Sequence, residues 1–324
     1  MITAHAPGRG RTVLITGATS GIGKETALAL AHAGFTTVIV GRREAATQEV
    51  AEWLRVQTGN IAIGHIVADL TSQTEVRRVA EEFRSTHGSL DVLVNNAGGV
   101  FPCWRLTSDG IEQTWALNHL APMLLSLELL DMLQSSPPSR IVNVASGAHK
   151  NGRIDLGDQH AESAFTMNAY SNAKLANVMA TYALARRLRG TGVTVNCLHP
   201  GVAGTSFGRN AGGWIGTLAA LASPFLMTPQ RGAATSVYLA SAPDLELLSG
   251  YYFVKSRPRR SSAASYDEGI QERVWKRSLT ELGITDPTSN HTVSSAKGAS
   301  RIPPPVPPKV TNSSLASSDR SDRL

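Results

Sequence analysis

The stretch that most limits what this chain can fold into is residues 13–30, Val-Leu-Ile-Thr-Gly-Ala-Thr-Ser-Gly-Ile-Gly-Lys-Glu-Thr-Ala-Leu-Ala-Leu. An apolar run passes through three glycines into an alanine- and leucine-rich segment with helical spacing, so it reads as strand, tight turn and helix. Gly17, Gly21 and Gly23 are expected to supply positive φ and to let the backbone approach a ligand that a Cβ would push away. The start of the new helix then offers unpaired N–H groups and a positive dipole end, a combination that holds a pyrophosphate. A glycine-rich turn alone is equally compatible with a simple change of direction. Here a strand precedes it, a helix follows, and a regular β/α alternation begins.

The second strand, residues 37–40, ends at Gly41-Arg42-Arg43. In dinucleotide-binding folds an acidic residue at this strand end accepts hydrogen bonds from the adenosine ribose and would repel a 2′-phosphate. A glycine followed by two guanidinium groups, which bind phosphate through charge-assisted hydrogen bonds, favours NADP(H) over NAD(H). The alternative is a solvated turn with two incidental arginines. Residues 45–56 have helical spacing, and residues 61–67 form a third strand that closes on Asp69 and Leu70. Asp69 either accepts a bond from the adenine amino group or caps the next helix, or does both.

Residues 74–87 predict an amphipathic helix and residues 90–94 a fourth strand, opening into Asn95-Asn96-Ala97-Gly98-Gly99. Two asparagines there suit hydrogen bonds to neighbouring strands and an αL turn, a stabilising device as well as a cofactor wall. Residues 111–133 predict one long helix carrying Asn118 and lightly broken by Pro122. An asparagine inside a helix competes with the backbone, so its presence asks for a reason. Residues 140–146 form the fifth strand, with Ser146 at its carboxyl end, where open α/β sheets bind their ligands. After an irregular polar loop to residue 167, the helix over 168–180 places Tyr170 and Lys174 four apart on one face. Residues 194–199 are the sixth strand, running into Pro200-Gly201; residues 230–240 are a helix and 250–254 the last strand. The expected fold is α/β: a single domain with a doubly wound, Rossmann-type parallel sheet, right-handed crossovers and helices on both faces.

A chain of 324 residues, 42% hydrophobic, can bury one large core. Cys103 and Cys197 offer neither a disulfide framework nor a metal-ligand spacing, so both read as core filler in a reduced, cytoplasmic protein. His119, His149 and His199 match no zinc pattern and read as structural or exposed. The first residues lack the apolar segment of a secretory signal, and no run of about 18 apolar residues occurs, so no membrane span is expected. Of the formal charge of +6, +5 lies in residues 252–324. The remaining 251 residues are close to neutral, which argues against a nucleic-acid partner for the folded body.

In order, and at the ends of the expected strands, stand Thr16-Gly-Ala-Thr-Ser-Gly-Ile-Gly23, Asp69-Leu70, Asn95-Asn-Ala-Gly98, Asn118, Ser146, Tyr170-Ser-Asn-Ala-Lys174 and Pro200-Gly201. With these the chain resembles the short-chain dehydrogenases/reductases over about residues 11–283. Gly21-Ile-Gly-Lys-Glu-Thr-Ala27, Asn118-His-Leu120, Tyr170-Ser-Asn-Ala-Lys-Leu-Ala-Asn177, His199-Pro-Gly-Val202 and the long gap between Ser146 and Tyr170 are similar to the retinol-dehydrogenase-like branch. The resemblance implies cofactor contacts from Gly17, Thr19, Ser20, Gly21, Ile22, Gly23, Arg42, Arg43, Asp69, Leu70, Asn96, Ala97, Gly98, Tyr170, Lys174, Pro200, Gly201, Val202 and Thr205. It further implies that Lys174 binds the nicotinamide ribose, that Asn118 holds a water linking the lysine to solvent, and that Thr205 binds the carboxamide. A homodimer or homotetramer built on the helices near Asn118 and Tyr170 is implied as well.

The chemistry expected is hydride transfer between a nicotinamide and a carbinol or carbonyl carbon, with Tyr170 as general acid/base. Exchange near neutrality requires the phenol to fall roughly two to three units below its usual pKa near 10, about 3–4 kcal/mol of phenolate stabilisation. Lys174, one helical turn away, is expected to supply that charge, and Ser146 to hold the substrate oxygen beside the phenol. Residues 206–228, apolar after Trp214, read as a flap over a lipophilic alcohol, aldehyde or ketone, the alternative being an interfacial segment that touches lipid or a partner. Residues 1–10 read as a flexible start and residues 284–324 as a disordered, serine- and proline-rich tail. Two other readings stay open: a reductase of a different unsaturated substrate, such as a carbon–carbon double bond, and a catalytically idle nucleotide-binding regulator.

Overall fold

Short runs that are apolar at every position suit strands buried on both faces, and residues 13–15, 38–40 and 92–94 become such strands. The computed structural model describes residues 8–155, 166–201 and 228–289. The strands are β1 (Thr12–Thr16), β2 (Thr36–Gly41), β3 (Ile63–Val67), β4 (Val92–Asn95), β5 (Ser139–Val144), β6 (Val193–His199), β7 (Tyr252–Val254) and β8 (Arg257–Arg259). They form one sheet in the order β3-β2-β1-β4-β5-β6-β7-β8, parallel at every pairing except β7 with β8. The chain steps outward from β1 to β3 and restarts on the other side at β4, so the crevice at the carboxyl ends of β1 and β4 is the topological switch point.

The helices are α1 (Gly21–His32), α2 (Glu44–Thr58), α3 (Gln73–Thr86), α4 (Gln113–Trp115), α5 (Ala121–Glu128), α6 (Leu130–Gln134), α7 (Thr166–Arg187), α8 (Pro229–Ser241) and α9 (Glu268–Leu282). Alternation along β1 separates two cores. Val13 and Ile15 join Leu30 of α1, Leu54 of α2 and Leu239 of α8 on one face. Leu14 joins Phe83 of α3, Leu124 of α5, Met179 of α7 and Trp275 of α9 on the other.

Two expectations need correction. The single helix over 111–133 is instead α4, a π turn (Ala116–Leu120), α5 and α6. Pro122 has no N–H to give the Asn118 carbonyl four residues earlier, and that carbonyl accepts the Asn177 amide instead (3.1 Å). Residues 250–254 do not end the sheet: Lys255 and Ser256, both at positive φ (52° and 56°), turn the chain back into β8. Arg-Pro-Arg reads as a loop, yet a proline is tolerated on an edge strand, and here Pro258 is buried between two exposed arginines. Finally, α9 was not legible in the sequence; Asp267 caps it by accepting the Ile270 N–H (2.9 Å).

The fold continues past Gly283, where the composition changes: Asp286 accepts the Trp275 indole N–H and the Thr288 backbone N–H (2.8 and 2.9 Å). Residues 1–7 and 290–324 lie outside the described residues. Among the described residues no helix is long and apolar enough to cross a membrane.

Candidate active site

The turn between β1 and α1 is shaped by close approach as much as by φ. Gly17 and Gly21 are at positive φ (64° and 56°), whereas Gly23 is not. What Gly23 supplies is space: a Cβ there would lie 2.4 Å from both the Asn96 Nδ2 and the Gly17 carbonyl oxygen. A Cβ on Gly17 would lie 2.8 Å from the Ala97 Cα. Asn96 locks this junction by donating to the carbonyls of Thr16 and Gly17 (2.8 and 3.0 Å), and the Thr16 hydroxyl accepts the N–H groups of Asn96 and Ala97 (3.0 and 2.9 Å). The first turn of α1 holds no acidic residue, and the Ser20 side chain makes no cap hydrogen bond. A helix start left open in this way, beside a glycine cradle, fits the pyrophosphate of a dinucleotide.

At the end of β2, Gly41 leaves no room for a side chain of any kind. A Cβ there would lie 2.3 Å from the Thr47 hydroxyl and 2.4 Å from the Thr19 methyl carbon. Arg42 and Arg43 are exposed beside it. Asp69 accepts the Thr71 N–H and hydroxyl on Oδ1 (3.0 and 2.8 Å), the local-turn alternative, while Ser72 rather than Asp69 caps α3. Leu70 is buried next to it.

The turn after β4 uses no positive φ, so the expected αL conformation is absent. Asn95 instead donates across the sheet to Asn143 (2.8 Å) and to Ser126 (2.9 Å). Asn118, on the π turn, brackets Gly99 from both sides, accepting its N–H (3.1 Å) and donating to its carbonyl (2.9 Å). That is the reason for an asparagine inside this helix. Gly98 lies in the same cluster: a Cβ on it would stand 2.8 Å from the Asn118 Oδ1 and 3.1 Å from the Lys174 Nζ.

Ser146 follows β5 by two residues and caps the short 3₁₀ turn Gly147–Asn151, its hydroxyl accepting the Ala148 N–H (3.2 Å). Tyr170 and Ser146 are joined by a side-chain hydrogen bond. The Lys174 ammonium sits 5.7 Å from the Tyr170 ring centroid and donates to the Val144 carbonyl (2.9 Å). The structure therefore brings Ser146, Tyr170 and Lys174 together, with Asn118 and Gly98 against the lysine.

The expected lowering of the phenol is not what these residues produce alone. Burial pushes Tyr170 up to about 12, the Ser146 hydrogen bond opposing it, and burial brings Lys174 down to about 8. The ammonium donates to the Val144 carbonyl rather than to the phenol oxygen, and desolvation of the phenolate sets the direction.

Pro200 and Gly201, the latter at φ 90°, follow β6 directly. Val202, Thr205 and the stretch 206–227 lie outside the described residues. Cys197 is buried as expected, but Cys103 is exposed. His149 and His199, expected to be structural or exposed, are structural: both hold the backbone next to Ser146. Only the fold brings them there, since they come from different elements and share no motif spacing.

The family model for short chain dehydrogenases matches residues 11–215. Retinol dehydrogenase 14 of Mus musculus is 40% identical over 295 residues, covering 85% of this chain and 86% of that protein. Retinol dehydrogenase 12 of Homo sapiens is 40% identical over 276 residues, covering 85% and 87%. Among solved structures, the RhlG/NADP active-site complex of Pseudomonas aeruginosa is similar with a TM-score of 0.62 at 26% identity, covering 78% of this chain and 97% of that chain.

Proposed function

This chain belongs to the short-chain dehydrogenase family, in its retinol-dehydrogenase-like branch, and is an oxidoreductase; we propose that it uses NADP(H) to interconvert a lipophilic alcohol and its aldehyde or ketone, with Tyr170 as the general acid/base. The observation that carries this reading is the meeting of Ser146, Tyr170 and Lys174 beyond the carboxyl end of β5, walled by Asn118 and Gly98.

The groups that would hold the dinucleotide are the glycine cradle at Gly17, Gly21 and Gly23, the open start of α1, the Asn96–Gly98 wall, and Lys174 at the ribose. Preference for NADP rests on residue 41, where no carboxylate fits, and on the exposed guanidinium groups of Arg42 and Arg43. A bound nicotinamide supplies hydride in one direction and accepts it in the other, and its oxidised ring adds positive charge to the site.

In reduction, the Ser146 hydroxyl donates to the substrate carbonyl oxygen and holds it beside Tyr170. Tyr170 gives its proton to that oxygen as the carbon gains hydride, leaving phenolate. The nearby Lys174 ammonium favours the phenolate and can return a proton to it, burial having brought the ammonium down to about 8. Oxidation runs the same transfers backwards. The curated relatives are named retinol dehydrogenases, so retinol and retinaldehyde are the first substrates to try. The stretch 206–228 is proposed as the apolar flap. Two free cysteines are consistent with a reducing compartment, and the cytoplasm is proposed.

Tyr170→Phe tests the reading. It should lower kcat for retinaldehyde or another apolar carbonyl by about 10²- to 10⁴-fold, the scale of a lost general acid, while NADPH binding by fluorescence is retained. Turnover close to wild type in that variant would remove Tyr170 from the mechanism.

A further inference from the structure

The Ser146–Gly147 peptide group is held at both ends by histidine. On one side the Ser146 carbonyl oxygen stands 2.6 Å from the His149 Nδ1. A carbonyl only accepts, so that nitrogen carries the proton. The other nitrogen of the same ring, Nε2, accepts the Ser262 backbone N–H (3.1 Å), so it is bare. On the other side the Gly147 N–H donates to the His199 Nδ1 (3.0 Å), so here Nδ1 is bare and Nε2 carries the proton. The two rings are neutral and of opposite tautomer, each fixed by its partners.

The ring of His199 lies across Gly147. A Cβ at residue 147 would come within 3.4 Å of two of its ring atoms, so the glycine is what lets the imidazole reach the amide. His149 is fully buried and meets Tyr252 of β7 edge-on, with ring centroids 4.9 Å apart. Burial holds both histidines below their ordinary pKa and the Lys150 charge acts in the same direction on each, while at His149 the Ser146 carbonyl opposes the shift without reversing it, in keeping with the neutral rings these contacts need.

We propose that His149 and His199 are positioning residues for Ser146: a pair of opposite imidazole tautomers clamps the two ends of the Ser146–Gly147 peptide group and so aims the Ser146 hydroxyl at the reacting oxygen. The proposal rests on the roles given to Ser146 and Tyr170 above. A histidine that merely fills space is replaceable by any ring of similar size. A histidine that holds an amide proton is replaceable only by a side chain that keeps an acceptor at the Nδ1 position, and asparagine does that.

The test uses the full chain in two measurements. Imidazole ¹⁵N NMR on histidine-labelled protein should show, among the signals of its nine histidines, an Nδ1–H ring that is lost in His149→Asn and an Nε2–H ring that is lost in His199→Asn. Steady-state reduction of retinaldehyde by NADPH should show His199→Phe lowering kcat by about 10- to 100-fold, the scale of a misplaced reacting group, with NADPH affinity within about threefold of wild type. His199→Asn should recover about tenfold of that loss. Both rings in the same tautomer, wild-type kcat in His199→Phe, or no recovery in His199→Asn would each overturn the clamp. The NMR result stands even if His199→Phe does not fold. A wild-type protein that binds NADPH but reduces no carbonyl would overturn the functional reading, and the positioning role with it, while leaving the two tautomers as described.

Discussion

Tyr170 and Lys174 illustrate how far single residues can be read before their surroundings are known. Spacing places them on one helix face, as the sequence says, but their charge states depend on burial, which spacing does not report. His119 makes the same point with a measurable consequence. It is buried, its Nε2 bonds the Ser278 hydroxyl (2.7 Å), and among the described residues its Nδ1 has no hydrogen-bond partner. Burial lowers its pKa to about 4, with Glu281 opposing the shift. The unfolded chain therefore binds more protons than the folded one between roughly pH 6.5 and 4. The stability tied to neutral His119 is present above pH 6.5 and is lost as pH falls toward 4. Urea unfolding at pH 7 and pH 4.5 should show wild type losing about 2–3 kcal/mol more than His119→Phe over that interval; equal losses would mean that this ring does not titrate as described. The histidines illustrate the limit of sequence reading at this scale: their isolation from any metal pattern was visible, but the atoms they hold were not.

Among the elements, the strand–turn–helix unit was the most legible, because its glycines, apolar run and helical spacing are contiguous. The structure changes the reason for one of them. Gly23 is required for contact with Asn96 and Gly17 rather than for positive φ. Gly23→Ala should accordingly weaken NADPH binding by more than about tenfold, measured by cofactor fluorescence, because the added methyl must push apart the junction that shapes the cradle. Unchanged affinity would show that this junction yields without affecting the site. The π turn and β8 were not legible for physical reasons. A π turn depends on where a carbonyl finds a new donor, here Asn177 from a distant helix, and an edge strand of Arg-Pro-Arg carries no hydrophobic alternation.

For the molecule as a whole, the β/α alternation fixes a parallel sheet with two cores, and the switch point between β1 and β4 follows from the strand order. The proposed site draws on the carboxyl ends of β1, β2, β4, β5 and β6, which lie along one side of that sheet, and this is why its residues are spread from Gly17 to Gly201 in sequence. The proposed activity depends on which dinucleotide binds at these strand ends. The direct measurement is a pair of fluorescence titrations, NADPH and NADH, on the full chain and on an Arg42→Ala, Arg43→Ala double variant. The account predicts that wild type binds NADPH at least about tenfold more tightly than NADH, and that the double variant loses about 1.4 kcal/mol or more toward NADPH alone. Tighter binding of NADH, or binding of neither cofactor, would contradict it.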